Sequence, residues 1–137
     1  MAAFVLSSYL HGGALIYSSQ EVGYAGRINF FHYCPIDWTA NSGLRKEYAT
    51  LMKLYNEYPA IRKGNLKTYS DYHTLVFEKE VSGQRVLVVV NVRNDNQTAP
   101  LPQEWKNRAC TNLFSGEKEA LAESLSLAPY EYKILKY

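Results

Sequence analysis

Four residues, Ala14-Leu15-Ile16-Tyr17, constrain this chain more than any others. A short continuous apolar run after Gly12-Gly13 and before a polar stretch reads as a strand buried on both faces, the kind found in parallel sheets. Upstream, Phe4, Val5, Leu6, Tyr9 and Leu10 lie mostly on one helical face, and Gly12-Gly13 ends that helix. Downstream, a loop carries Gly23 and Gly26. Then Leu44, Tyr48, Leu51, Met52 and Tyr55 recur at helical spacing, with Arg45, Lys46, Glu47, Lys53 and Glu57 opposite them. Asn41 or Ser42 is the expected N-cap and Pro59 the expected stop. Two helices cannot cover such a strand alone, because it needs sheet neighbours as well as helices on both faces. The first half therefore reads as a piece of a larger fold.

After Gly64 the pattern changes from helix to strand and turn. Thr74 to Val81 alternates, with Leu75, Phe77 and Lys79 on one face and Val76, Glu78 and Glu80 on the other. Ser82-Gly83 makes a turn, and Val86–Val90 returns as a strand covered on both sides. Asn94-Asp95-Asn96, Pro100 and Pro102 mark loops. Further strands are expected near Arg108–Phe114, Ser124–Leu127 and Tyr130–Lys136. Short strands at this spacing read as an antiparallel sandwich.

Composition excludes more than it assigns. A net charge of +2 gives no reason to expect a nucleic acid as partner. No apolar run approaches the roughly 18 residues that mark a membrane span. The start of the chain lacks the positive charge of a secretion signal and is broken by Ser7, Ser8, Tyr9 and His11, so it reads as folded sequence. Cys34 and Cys110 are too few for a disulfide framework or a zinc site. They pair if the protein is exported and pack as small hydrophobes if it is not. His11, His32 and His73 have no ligand spacing, and Asp71-Tyr72-His73 reads as a polar turn. No metal site is expected. The cations Arg45, Lys46, Lys53, Arg62, Lys63 and Lys67 are interleaved with acids on a solvated face.

Gly13-Ala14-Leu15-Ile16-Tyr17-Ser18-Ser19-Gln20-Glu21-Val22-Gly23 resembles the G-x-P-L-I-Y-x-G-Q-E-x-G signature of the α-amylase family of glycoside hydrolases. Pro35-Ile36-Asp37-Trp38 is similar to the family's approach to its last barrel helix. The stretch from Leu51 to Gly64 resembles that helix and its exit, and Val86–Asn91 and Leu127–Tyr132 resemble strands of the domain that follows the barrel. The resemblance covers nearly the whole chain in order and is closest to bacterial α-amylases. It implies a mixed α and β fold. Residues 1–64 would be the last helix–strand–helix of a (β/α)₈ barrel, and residues 65–137 an antiparallel Greek-key β-sandwich. A complete barrel needs about 250 residues, against 137 here.

The resemblance further implies a parent that hydrolyses α-1,4-glucans such as starch with retention. Its catalytic Asp, Glu and Asp would precede Met1, so no catalytic residue is assigned within this chain. No cofactor is expected here, and any calcium would sit in the missing barrel loops. A periplasmic, secreted or cell-surface location is implied by the family alone. Self-association through the incomplete barrel segment is a further expectation. A reading of another class makes the chain a free-standing, non-catalytic sandwich that binds glucan or a protein partner.

Three residues are candidates for contact with sugar. Gln20 and Glu21 would follow the last barrel strand, on the face where barrel active sites are built. They either line the sugar cleft or hydrogen-bond loop backbone. Glu21 acting as a general acid would need a fixed carboxylate partner, and the nearest, Asp37, has no spacing argument behind it. Trp38 either stacks on a sugar face or is buried at a helix entrance, and burial is the favoured role. Tyr48 and Tyr55 read as core, and Tyr130, Tyr132 and Tyr137 as strand packing. Ser19 stands where the family writes Gly, and Ala14 where it writes Pro.

Overall fold

The computed structural model describes residues 1–137. Helix α1 (Ala2–Tyr9) buries Phe4, Val5 and Tyr9. Helix α2 (Ser42–Glu57) buries Tyr48, Leu51 and Leu54. Asn41 precedes α2 in a left-handed conformation (φ 53°), but its side chain makes no capping bond. Pro59 does two jobs. It holds Tyr58 extended (φ −107°, ψ 96°), which ends α2, and it opens helix α3 (Pro59–Lys63), where its missing N–H is no loss. At Gly64 a Cβ would lie 2.5 Å from the Ala60 carbonyl oxygen, so only glycine lets the chain leave α3 so closely.

Eight strands follow: β1 (Asn65–Thr68), β2 (Thr74–Val81), β3 (Gln84–Asn91), β4 (Gln97–Pro100), β5 (Ala109–Asn112), β6 (Lys118–Ala120), β7 (Ser124–Leu127) and β8 (Tyr132–Lys136). They form an antiparallel six-stranded sheet in the order β1-β2-β3-β8-β5-β6 and a two-stranded sheet β4-β7. Ser82 (φ 50°) and Gly83 (φ 79°) make the expected two-residue turn between β2 and β3. The ribbon β3–β4 lies against the ribbon β7–β8 and bends with it from one sheet to the other, as a Greek-key corner does. Pro100 closes β4, an edge strand that tolerates proline.

The structure corrects one expected element. Residues 14–17 form no strand. Leu15 is 73% exposed and has no neighbouring strand to supply backbone partners. The helices instead find their cover on the sandwich itself. The three helices pack on one face of the six-stranded sheet, in a cluster that joins Phe4, Val5, Tyr9, Leu51 and Ile61 to Phe77, Val86, Val88, Val90 and Ile134. The other face packs Val76, Leu87, Val89 and Leu135 against Ala99, Leu101, Trp105 and Leu127.

This layering changes the meaning of the alternation in β2. Neither face meets solvent, so Glu78 and Lys79 are both buried. Each therefore needs a partner. The Lys79 ammonium donates to the Ile61 carbonyl at 2.7 Å, at the carboxyl end of α3. The Trp105 indole N–H donates to Glu78 Oε2. Asn91, fully buried at the ribbon's bend, donates to the carbonyls of Asp95 (2.7 Å) and Ala128 (2.8 Å) and accepts from the Arg93 N–H at 2.8 Å.

Two phenols tie the helices down. Tyr9 donates to the Leu51 carbonyl and Tyr132 to Glu47 Oε1, each at 2.6 Å. Burial pushes both phenols well above their ordinary value, and the Glu47 hydrogen bond adds to this for Tyr132. An unfolded chain releases both protons near pH 10 while the folded chain keeps them, so their contribution is complete below that pH and lost above it. The expected loss is about 1.4 kcal/mol per pH unit for each phenol. Lys79, lowered by burial, acts in the opposite direction until about pH 10.4. Urea midpoints measured above that pH should fall steeply, and Tyr9→Phe should remove about half of the slope. A flat profile would contradict the assignment.

Candidate functional site

The segment between α1 and α2 carries Gln20, Glu21 and Trp38, and its anchors lie on α2. Ser19 adopts φ 62° and leads into a single 3₁₀ turn, Gln20–Val22, which Gly23 closes at φ 65°. Val22 is buried. A Cβ on Gly23 would meet the Asn41 side chain at 3.0 Å and Leu44 at 3.1 Å, so the turn sits tightly on the start of α2. Both ends of the Gln20 amide are used. Its Oε1 accepts the Tyr17 N–H at 3.2 Å, and its Nε2 donates to the Tyr48 hydroxyl at 3.0 Å. The Tyr48 ring is fixed in turn by Phe4, edge-to-face at 4.6 Å.

Glu21 is partly buried, and its Oε2 is enclosed without a hydrogen-bond partner. Asp37 Oδ1 accepts the Thr39 N–H (2.9 Å) and hydroxyl (2.6 Å), and these bonds hold its carboxyl below the usual carboxylate value. The Trp38 carbonyl accepts from Arg45 Nη1 at 3.1 Å. Arg45 and Tyr48 are three residues apart and so neighbours on one side of α2. The structure thus brings Gln20 to Tyr48 and the Trp38 backbone to Arg45, one helical turn apart.

The Trp38 side chain is 50% exposed, against the expectation of burial. It is not alone. Phe30 is 82% exposed, and Phe31 and Tyr33 are each 91% exposed. A hollow of about 400 Å³ is lined only by the consecutive residues Arg27–Phe31, with no second element behind it. A run of exposed aromatics on an otherwise packed unit marks a face made to be covered. Chemically the segment can hydrogen-bond and stack. No group of three His, Cys, Asp or Glu side chains is placed to hold a metal ion. Both thiols are free. Cys34 Sγ lies 3.1 Å from the Tyr24 hydroxyl, while Cys110 is buried in the sandwich, which pushes its thiol up.

Sequence reasoning placed Tyr48 in the core and Arg45 on a solvated face, as the structure does, but gave no sign that the two also anchor this segment. Nothing in a helical repeat announces which loop a side chain will hold. Of the three carboxy-terminal tyrosines expected to pack on strands, two do and Tyr130 does not. Tyr132 packs on Phe114 at 5.4 Å and Tyr137 on Trp105 at 4.6 Å, while Tyr130 is half-exposed in a turn at φ 55°. A left-handed serine is strained by about 1–2 kcal/mol relative to glycine. Part of this is offset by the greater freedom of an unfolded glycine. Ser19→Gly should therefore raise the melting temperature slightly and Ser19→Val should lower it. The reverse order would mean that the left-handed turn does not form.

Residues 66–134 match the family described as maltogenic amylase, C-terminal domain. The chain is 27% identical over 138 residues to a cyclomaltodextrinase from Geobacillus thermopakistaniensis (strain MAS1), an alignment that covers 94% of this chain and 24% of that protein. Among solved structures, AmyP in complex with maltose superposes with a TM-score of 0.79 at 20% identity, over 98% of this chain and 33% of AmyP. An Anoxybacillus α-amylase superposes at 0.65 with 15% identity, over 74% of this chain and 24% of that one. The chain spans about a quarter to a third of the proteins it matches.

Proposed function

The chain belongs to the maltogenic amylase C-terminal domain family, and from that premise we propose that it is the carboxy-terminal part of a retaining hydrolase of α-1,4-glucans. The observation that carries this reading is the set of exposed apolar side chains Leu15, Tyr17, Phe30, Phe31, Tyr33 and Trp38, which lie beside a sandwich with its own packed cores. In the parent, the missing barrel would cover them and give Leu15–Tyr17 strand neighbours on both edges. The barrel would also bring the nucleophile and the acid/base carboxylate, about 5 Å apart, that retaining hydrolysis requires.

The role of this chain is then positional. Tyr48 holds Gln20, Gln20 holds the Tyr17 backbone, and Arg45 holds the Trp38 carbonyl. Gln20, Glu21 and Trp38 would reach the sugar cleft from this braced loop. Glu21, with an enclosed and unpartnered carboxylate oxygen, is suited to accept a hydrogen bond from a barrel residue.

Native mass, reading frame and turnover test the reading. In the source organism, an antibody against the chain should detect a protein three to four times larger than 15.7 kDa, since the chain covers 33% and 24% of the proteins it matches. The reading frame should continue upstream into a barrel with its Asp, Glu and Asp. The isolated chain should not turn over a blocked maltooligosaccharide reporter. Turnover that Glu21→Gln abolishes would overturn the assignment of catalysis to the missing part. A native protein of 15.7 kDa that sediments as a defined oligomer would favour the free-standing module, with a second copy covering the aromatic segment.

A further inference from the structure

Three of the exposed edges of the sandwich carry features that keep other strands away. Lys67 stands in β1 and Lys118 in β6, at the two sides of the six-stranded sheet, and Pro100 closes β4. Residues 14–17 have no such protection, since no charged side chain and no proline lies between His11 and Glu21. Ile16 packs on the helical core, while Leu15 and Tyr17 on either side of it face outward, which is the two-residue alternation of a strand. Ala14, Leu15 and Ile16 make no backbone hydrogen bond. The segment has the pattern of a strand and the unpaired backbone of an edge.

The apolar surface of the molecule is concentrated in the same stretch. Seven of the eleven exposed large hydrophobic side chains lie between Leu15 and Trp38. At roughly 200 Å² for a whole aromatic side chain, they present on the order of 900 Å² of surface. Each partner in a stable interface contributes about 800 Å². An unpaired backbone is satisfied by another backbone, so the occupant of this edge is a strand. A second copy of the chain brings the same unprotected edge, and antiparallel pairing about a two-fold axis satisfies both edges at once.

We propose that the 137-residue chain forms a symmetric dimer. Ala14–Tyr17 of one copy pairs antiparallel with the same residues of the second, and the aromatic side chains from Phe30 to Trp38 close over the pair. This goes beyond the proposed function, because in the parent a barrel strand would hold the same edge. The dimer is a property of the chain with no barrel joined to it.

Sedimentation equilibrium of the whole chain, with a reductant present because Cys34 lies in the same segment, should show a reversible monomer–dimer equilibrium. Leu15→Lys and Phe31→Ser change exposed side chains that the packed cores do not use. Each should weaken the dimer by about tenfold or more. The two tryptophans show which face is covered, because Trp38 lies in the contact and Trp105 is buried in the outer core. Acrylamide quenching of Trp38 should fall as the dimer forms, and Trp38→Phe should remove the concentration-dependent part. A chain still monomeric at about 100 μM, well above the micromolar range of interfaces this size, would overturn the dimer. So would association that survives both variants, that leaves Trp38 quenching unchanged, or that grows past two copies. The parentage is read from the native mass and the reading frame, so it stands or falls separately from this result.

Discussion

Trp105→Ala should leave the chain with little or no cooperative unfolding transition. The indole is fully buried among Val76, Leu87, Leu121 and Leu135 and meets the Tyr137 ring edge-to-face at 4.6 Å. Removing it opens the largest side-chain cavity available in the outer core, at a cost of about 3–5 kcal/mol. The substitution also strips Glu78 of its indole donor in a buried setting, which adds about 1–3 kcal/mol. The sum approaches the whole stability of a typical domain, about 5–15 kcal/mol. Trp105→Phe separates the two contributions, since it keeps most of the ring and drops the N–H. Urea denaturation of both variants is the measurement. A loss below about 2 kcal/mol for Trp105→Ala would mean that the outer core closes without its tryptophan.

The second large effect is expected at Asn91. This residue ends β3 where the paired ribbons bend, and its amide is bonded to Arg93 and Asp95 in the loop that follows and to Ala128 after β7. Asn91→Ala leaves two carbonyls without their donor inside the fold. At about 1–3 kcal/mol for each unsatisfied group, the loss should reach about 2–6 kcal/mol. Asn91→Asp makes a sharper test because the shape is kept. At neutral pH a carboxylate would face the Asp95 and Ala128 carbonyl oxygens, so the variant should be as unstable as alanine. On acidification it should recover in part, since a protonated carboxyl can donate once. A variant equally stable at both pH values would show that the amide is not what holds the corner.

Both predictions concern residues that sequence reading passed over. The helix from Ser42 and the hairpin β2–β3 were legible because their signals are local. A 3.6-residue or two-residue repeat, a Ser-Gly turn and a proline each act on immediate neighbours. Strands β1, β4 and β6 gave no such signal. They are three or four residues long, largely exposed, and exist only because β2, β7 and β5 lie beside them. The same limit applies to the candidate site. Gln20, Glu21 and Trp38 were legible as a group through the family resemblance. That Gln20 spends its amide on Tyr17 and Tyr48, and that Trp38 is held through its carbonyl by Arg45, depended on contacts 28 and 7 residues distant in sequence.

The sequence by itself determined the periodic elements, the change from helix to strand at Gly64 and the resemblance to the α-amylase family. These depend on residue order over short spans, which the chain carries wherever it is. The tertiary structure decided the rest. It set the helices on one face of the sheet and a second sheet on the other. That arrangement buried Glu78 and Lys79, although alternation alone would allow either to face water. It also left Ala14–Tyr17 without strand neighbours, although these four residues read as a strand. In each case the physical reason is the same. Burial and strand pairing are properties of what stands opposite a residue, and the opposite residue is supplied by distant chain.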